Sequence, residues 1–315
     1  MDITAIEQAR ELIKPYVRRT ALEYNRTLSQ KLGTNVFVKL ELFQKTGAFK
    51  VRGAFNKLLS LSDEEKRRGV VAVSGGNHAQ AVAYASSVLG VDAVILMPST
   101  TPRNYVDATL GYGAKVDLQP TIAEAFAEIK RFEAEGRIFV HPFDDPLVIA
   151  GQGTVGLEIL EDLPEVTDIF VSIGGGGLAG GVATAVKASK PEVRIWGVET
   201  IGAHAMSQAL AAGHPVELPA ITSIAKTLGA PAVSPATLAL TERLLESVTV
   251  VSDAEAVEAL QFILERLKVL TEPAASCTLA AASRLKNQFN RDSNVVLIFC
   301  GSNLSLDDLC RYASF

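Results

Sequence analysis

With 315 residues, 48% of them hydrophobic and 21% charged, the chain has ample material for buried cores and exceeds the size at which one core stops growing, so two domains or one large α/β domain are expected. A net charge of −5 without a basic stripe argues against a nucleic-acid partner, and no run of about eighteen apolar residues marks a membrane span. Met1-Asp2-Ile3-Thr4 lacks the basic-then-apolar pattern of a secretory leader, and Cys277, Cys300 and Cys310 form neither a disulfide framework nor a zinc pattern, which fits a cytoplasmic, reducing compartment.

Residues 5–16 carry the spacing of an amphipathic helix, and residues 29–33 read as a short helix closed by Gly33. Residues 35–41 alternate like a strand and residues 54–59 have helical spacing; between them lies Gln44-Lys45-Thr46-Gly47-Ala48-Phe49-Lys50-Val51-Arg52-Gly53-Ala54. Lys50 is therefore expected at a strand-to-helix junction, between Phe49 and Val51. A lysine held among apolar groups loses hydration, its pKa falls, and the free amine becomes a nucleophile and a base. Alone this signal is weak, because the chain has 30 lysines and arginines and most such charges are solvated.

From residue 70 the pattern becomes regular. A buried strand at 70–73 ends in Ser74-Gly75-Gly76-Asn77-His78, and an alanine-rich helix at 79–89 stops at Gly90. Strands at 93–97, 114–118 and 138–140 alternate with helices at 102–110 and 122–133, which means βαβ units and a parallel sheet covered on both faces. His141-Pro142-Phe143-Asp144-Asp145-Pro146 punctuates the chain like a domain crossing. A helix at 152–163 and a strand at 168–173 follow, then Gly174-Gly175-Gly176-Gly177, a helix at 178–189 and a strand at 194–198 that ends at Glu199. Residues 215–236 scatter Pro, Gly and Ser without a clear period. Helices at 254–268 and 274–287 precede a last buried strand at 295–299, which ends at Cys300-Gly301-Ser302-Asn303. Ligands of such sheets bind beyond the carboxyl ends of strands, so the loops at Ser74, Gly174, Glu199 and Cys300 are candidates.

Consecutive glycines between a strand and a helix leave the backbone bare, so several N–H groups can converge on an anion at the positive end of the helix. The same run contains Gly175-x-Gly177-x-x-Gly180, with Glu199 at the end of the next strand, which is the spacing of a dinucleotide fingerprint. An NAD-dependent oxidoreductase is thus one reading of that stretch. Ser74 to His78 offers small residues and backbone donors at a helix start, suited to a carboxylate, with Asn77 able to donate an amide hydrogen bond or simply to cap a turn. His78 reads as a structural partner, and Cys300 alone as a small apolar core residue.

Taken in order, Ala48-Phe49-Lys50-Val51-Arg52-Gly53-Ala54, Ser74-Gly75-Gly76-Asn77, Gly174-Gly175-Gly176-Gly177-Leu178 and Cys300-Gly301-Ser302-Asn303 resemble the motifs of the pyridoxal-phosphate-dependent serine/threonine dehydratases. The resemblance spans essentially the whole chain. Pro142-Phe143-Asp144-Asp145-Pro146, Glu199-Thr200-Ile201-Gly202-Ala203-His204 and residues 221–229 are particularly similar to the L-serine dehydratase branch. This implies a tryptophan-synthase-β-like α/β fold, fold type II, of two doubly wound parallel-sheet domains: a small one at 47–146 and a large cofactor-binding one at 1–46 plus 147–315.

By the same resemblance Lys50 forms the internal aldimine with pyridoxal 5'-phosphate, Phe49 stacks against the pyridine ring and Asn77 bonds the ring hydroxyl. Gly174, Gly175, Gly176, Gly177 and Leu178 hold the phosphate; Ser74, Gly75, Gly76, Asn77 and His78 bind the substrate carboxylate; Cys300 faces the ring nitrogen. An aspartate at that last position would keep the pyridinium protonated, whereas a neutral thiol cannot, so elimination is favoured over transamination. Lys50 is then the natural base for the α-proton, and the cofactor phosphate, with no lysine in the loop and a second pKa of about 6, can protonate a departing hydroxyl. The implied reaction is loss of water from a 3-hydroxy amino acid of the L-serine/L-threonine type, giving a 2-oxo acid and ammonia, in a homodimer.

Three departures from the family pattern matter. Ala48 stands where most of the family has serine, which opens the reading of a bulkier substrate such as phenylserine; hydroxyaspartate is a further alternative for the same chemistry. Gly75 stands where the racemases carry a serine acid or base, which disfavours racemisation. Glu199 and the carbonyl of Ala203 match part of a cation site, but the second carboxylate of the divalent-metal members falls at Ala205, leaving a monovalent ion such as potassium. The chain ends soon after Cys310, without room for a regulatory domain, so a catabolic enzyme is expected. A non-catalytic phosphate-ligand-binding protein on the same scaffold is a further alternative.

Overall fold

The computed structural model of the chain describes residues 1–313. Ten strands form two sheets: β1 (Leu22–Tyr24), β2 (Asn35–Lys39), β3 (Val70–Val73), β4 (Ala93–Pro98), β5 (Lys115–Gln119), β6 (Ile138–Phe139), β7 (Asp168–Ser172), β8 (Arg194–Thr200), β9 (Ser247–Val251) and β10 (Asn294–Ile298). The larger sheet has the order β1-β2-β10-β7-β8-β9 and the smaller β5-β4-β3-β6. Every pairing is parallel except that of β1 with β2.

Both sheets are covered on both faces, which is why their central strands read as continuous apolar runs. In the small sheet, Val70 and Ala72 face helices Val51–Leu59 and Asn77–Leu89, while Val71 and Val73 face helix Ile122–Ala134. In the large sheet, Ile169 and Val171 point to helices Pro146–Asp162 and Gly177–Ser189, and Phe170 points to helix Pro273–Arg284 on the other side. The alternation is the strand period of two acting on each residue in turn.

The sequence pattern finds these central elements and misplaces some ends. Helix Pro146–Asp162 begins before the expected residue 152, because Asp145 caps it and Pro146 occupies its first turn. Gly151 and Gly153 lie inside it as close-packing positions: a Cβ on Gly151 would stand 2.6 Å from the Cα of Gly53, and one on Gly153 would stand 2.9 Å from the carbonyl oxygen of Gly181. The short edge strands β1 and β9, and helices Ala205–Ala212 and Pro235–Leu244, lack a strong apolar period and escape the sequence reading. Among the described residues no helix is long and apolar enough to cross a membrane.

The small sheet and its helices lie between Val51 and Phe139, inside the 47–146 unit expected from the sequence. We propose that division for the domains, with the join made at Ala48, whose backbone bridges Gly301 just beyond β10. Behind the join lies a buried ionic cluster. Arg52 donates to both oxygens of Glu41 (2.8 Å each) and to both of Glu158 (2.7 and 2.9 Å), and Lys39 donates to Glu158 at 2.6 Å. Two cations and two carboxylates balance in charge, and they tie β2, helix Val51–Leu59 and helix Pro146–Asp162 together. Removing the central cation leaves the buried Glu41 carboxylate without a cation and Glu158 with Lys39 alone. Arg52→Met is expected to cost about 3–5 kcal/mol of stability in urea unfolding, and a loss below about 1 kcal/mol would contradict this account.

Candidate active site

The segment before Lys50 is held against the end of β10. The N–H of Phe49 donates to the carbonyl of Cys300 at 3.0 Å, and that of Ser302 to the carbonyl of Gly47 at 2.9 Å. A 3-10 turn, Glu41–Phe43, and an extended loop separate β2 from Lys50, so the expected strand-to-helix junction is longer than the sequence suggests. Lys50 opens helix Val51–Leu59, and its Nζ donates to the carbonyl of Pro142 at 2.7 Å and lies 5.3 Å from the Phe49 ring centre. Burial pushes the amine down to about 8, with the Cys300 group the one influence that opposes it.

The glycine loop follows β7. Gly176 has φ +92°, and helix Gly177–Ser189 starts with no side-chain cap, so its first N–H groups are available to an anion. Side chains have no room there: a Cβ on Gly175 would stand 2.1 Å from ring carbons of Phe143, one on Gly176 2.8 Å from Thr237, and one on Gly174 3.2 Å from the backbone of Leu228. Leu178 is buried on the core side.

The second uncapped helix start is Gly76, before helix Asn77–Leu89. Its N–H donates to Ser74 Oγ at 3.1 Å, and the 74–78 loop faces the large sheet's side across to Thr227, whose Cγ2 would meet a Cβ on Gly76 at 3.3 Å. A Cβ on Gly75 would stand 2.7 Å from Thr101 Oγ1. His78 is buried with Nε2 against the carbonyl of Val140, and burial pushes it down to about 3, so its side chain is a neutral structural partner and its backbone alone faces the loop.

Asn77 is oriented from both ends. Its Oδ1 accepts from Asn303 Nδ2 at 2.8 Å and its Nδ2 donates to Glu272 Oε1 at 2.9 Å, leaving the second amide hydrogen for a ligand. Glu272 precedes helix Pro273–Arg284, accepts a second bond from Thr227 Oγ1 at 2.9 Å, and has its other oxygen buried without a partner. Burial raises it to about 7, against the pull of the Thr227 and Asn77 bonds. Tyr105 from the small sheet's side donates to the carbonyl of Asn303. Asn303 and Thr227 lie in the marked stretches 300–303 and 221–229 without a role assigned to them there, whereas Glu272 and Tyr105 escape the sequence reading; of these two only Glu272-Pro273, an acid before a proline at a helix start, carries a local signal.

Cys300 is buried beside Ser172 Oγ (4.0 Å) and the carbonyl of Ala274 (3.7 Å), and burial holds its thiol well above the usual range, so it is neutral near pH 7. Ala48 is fully buried, its backbone paired with Gly301. Glu199 is fully buried and accepts from the N–H groups of Met206 and Ser207 (2.8 Å each) and from Ser207 Oγ (2.6 Å), which caps helix Ala205–Ala212 from a distance. Among the described residues no group of three or more His, Cys, Asp or Glu side chains could hold a metal ion, so a cation near Glu199 and Ala203 would rest mainly on carbonyl oxygens.

A primary amine of lowered pKa for an aldehyde and a bare, uncapped glycine turn for a phosphate fit pyridoxal phosphate. The family model described as pyridoxal-phosphate dependent enzyme matches residues 13–301. The chain belongs to that family.

Within this family it is 40% identical to the L-threonine ammonia-lyase of Thermotoga maritima, over 97% of this chain and 76% of that protein. It is also 40% identical to the catabolic L-threonine dehydratase of Staphylococcus aureus, over 96% of this chain and 88% of that protein. The solved structure of maize serine racemase superposes with a TM-score of 0.94 at 38% identity, covering 99% of this chain and 97% of that one. The fold is therefore the tryptophan-synthase-β-like fold type II, and the chain is an enzyme of the serine/threonine dehydratase group. The dinucleotide reading falls with this finding. The geometry says why: Glu199 is taken up by a helix start, and Gly180 is a helix-packing position where a Cβ would stand 3.0 Å from Leu240.

The Glu199 carboxyl, raised by burial to about 7 from 4.5, holds its proton more tightly folded than unfolded. Stability from this group is therefore full below about pH 4.5 and declines as pH rises toward 7. Thermal unfolding of the chain should fall over that window, and Glu199→Gln should flatten the fall; an unchanged pH slope would remove Glu199 as its source.

Proposed function

We propose that this enzyme removes water from L-threonine and L-serine, releasing a 2-oxo acid and ammonia. What supports the reading is a half-buried lysine amine held on the Pro142 carbonyl, in a turn whose next residue, Phe143, lies against Gly175, together with uncapped helix starts at Gly76 and Gly176. One start, at Gly174, Gly175, Gly176, Gly177 and Leu178, suits the cofactor phosphate. The other, at Ser74, Gly75, Gly76, Asn77 and His78, suits the substrate carboxylate through its backbone donors.

Bound at Lys50, pyridoxal phosphate supplies an electron sink that acidifies the substrate Cα–H and loosens the bond to the β-hydroxyl. The chain's own residues do the rest. Lys50, its amine lowered by burial to about 8, accepts the α-proton at Nζ. Asn77, held by Glu272 and Asn303, would offer its free amide hydrogen to the ring hydroxyl. Phe49 would pack beside the ring, and the neutral Cys300 thiol would face the ring nitrogen without fixing a proton on it, which favours elimination over amino transfer. Gly75 offers no group to return a proton to the opposite face, so racemisation is not the main outcome.

Threonine is placed first because both curated relatives named above act on it by name. The phenylserine reading rested on extra room at Ala48, and the full burial of that methyl gives it no support. A homodimer, a cytoplasmic location, and potassium near Glu199 and Ala203 complete the proposal as expected from the family pattern.

The purified enzyme should absorb near ~410 nm, lose that band on borohydride treatment and in Lys50→Ala, and release keto acid from threonine and serine. Absence of keto acid from both substrates with the band intact would overturn the substrate assignment; absence of the band would overturn the chemistry. Cys300→Asp should increase the share of turnovers that end in amino transfer to the cofactor, and an unchanged product ratio would remove the role given to the thiol.

A further inference from the structure

The crossing segment between β6 and helix Pro146–Asp162 touches both halves of the site. His141 Nδ1 accepts the N–H of Phe143 at 3.2 Å and that of Asp144 at 2.7 Å. A nitrogen that accepts two backbone donors carries no proton, so the ring is neutral with its hydrogen on Nε2. The imidazole is wedged edge-on between Phe139 (5.4 Å, 76°) and Phe143 (4.7 Å, 86°). It closes a tight turn that aims the Pro142 carbonyl at Lys50 Nζ, 2.7 Å away, and lays the Phe143 ring across Gly175. Asp145, next along, caps helix Pro146–Asp162 and pairs with Lys57 of the lysine-bearing helix at 2.7 Å. The turn is thus anchored at both ends.

We infer that His141 is a positioning residue: by clamping the 142–144 turn it fixes the carbonyl on which the Lys50 amine rests whenever that amine is not bonded to the cofactor, and the aromatic ring that backs the phosphate loop. The inference rests on the function proposed above and deepens it. Among the described residues a neutral carbonyl is the sole direct acceptor for this amine, so the carbonyl's position sets how well the ammonium is stabilised and hence where Lys50 becomes a base. The groups facing Lys50 are Cys300 at the end of β10, His78 at the start of helix Asn77–Leu89, and His141 itself; His141 in turn faces Asp144 and Asp145. Burial holds His78 and His141 at about 3 and about 4 and the Cys300 thiol well above 9, so none of the three changes charge where Lys50 does.

The test compares two substitutions in the full-length holoenzyme. The Oδ1 of asparagine can occupy the place of Nδ1 and accept the same two backbone donors, as in an Asx turn, whereas leucine fills the space and accepts nothing. His141→Leu should displace the acid limb of the kcat profile to lower pH by about one unit, because the ammonium loses an acceptor worth roughly one hydrogen bond. It should also raise the dissociation constant of pyridoxal phosphate, read by absorbance titration, by roughly tenfold as the Phe143 backing loosens. His141→Asn should keep both values within about twofold, as one preserved hydrogen-bond geometry predicts.

If both variants shift alike, or neither does, the turn-clamping role is wrong. Should His141→Leu fail to fold, nitrogen NMR of histidine-labelled wild-type enzyme, with His141→Asn for assignment, still decides: a protonated Nδ1 on His141 near pH 7 overturns the inference, and an unprotonated one sustains it. A Lys50→Ala enzyme that retained its visible band would instead sink the function on which the inference rests, whatever His141 does.

Discussion

Two cations stand two residues apart at the start of one helix, and the structure depends on giving them opposite surroundings. About 200° of helical rotation separates residues i and i+2, so Lys50 and Arg52 look in different directions. Arg52 looks back into the protein, where Glu41 and Glu158 grip it from both sides and hold its guanidinium charged. Lys50 looks toward the crossing turn, where a carbonyl is its hydrogen-bond acceptor and burial lowers its affinity for a proton. Had a carboxylate stood beside Lys50, it would stabilise the ammonium and shrink the fraction of free amine, the nucleophile and base, that a pKa of about 8 leaves near neutral pH. The ionic cluster behind the site and the reactive amine within it are two consequences of one separation of charge.

The helix starts divide along the same line. Most carry side-chain caps: Asp2, Asn25, Ser62, Thr121, Asp145, Ser234, Ser252 and Ser305 each accept a backbone N–H. The starts at Lys50, Gly76, Gly176 and Glu272 have none, and all four border the site. A helix start without a cap leaves donors and a partial positive charge to be met by something else, and an anionic ligand is the natural partner. Glu199 shows the contrasting solution: helix Ala205–Ala212 also lacks a local cap, and a buried carboxylate from the end of β8 supplies it.

Communication between the sheets runs through polar side chains that no single element could supply. Tyr105, Asn303, Asn77, Glu272 and Thr227 form one chain of hydrogen bonds from the small sheet's helices to the large sheet's loops. Asn77 sits in its middle with both ends of its amide fixed, which is what lets one remaining hydrogen point at a ligand with a defined direction.

The central strands, the alternation with helices, the glycine turn and the lysine-bearing stretch were legible in the amino-acid sequence, because each is a local pattern: apolar runs at strand length, helical spacing, glycine where a strand meets a helix. The ordered set of motifs also named the family. Only the tertiary structure could say that Glu199 caps a helix start rather than holding a ribose, that Ala48 is sealed against Gly301, that Gly151 and Gly153 join helices rather than break one, and that Glu272 and Asn303 meet at Asn77. Local propensity fixes what each segment becomes, since it depends on neighbours a few residues away. The surroundings that set a proton affinity or orient an amide come from residues far apart in sequence, and they exist only once two sheets have folded and closed on the same cleft.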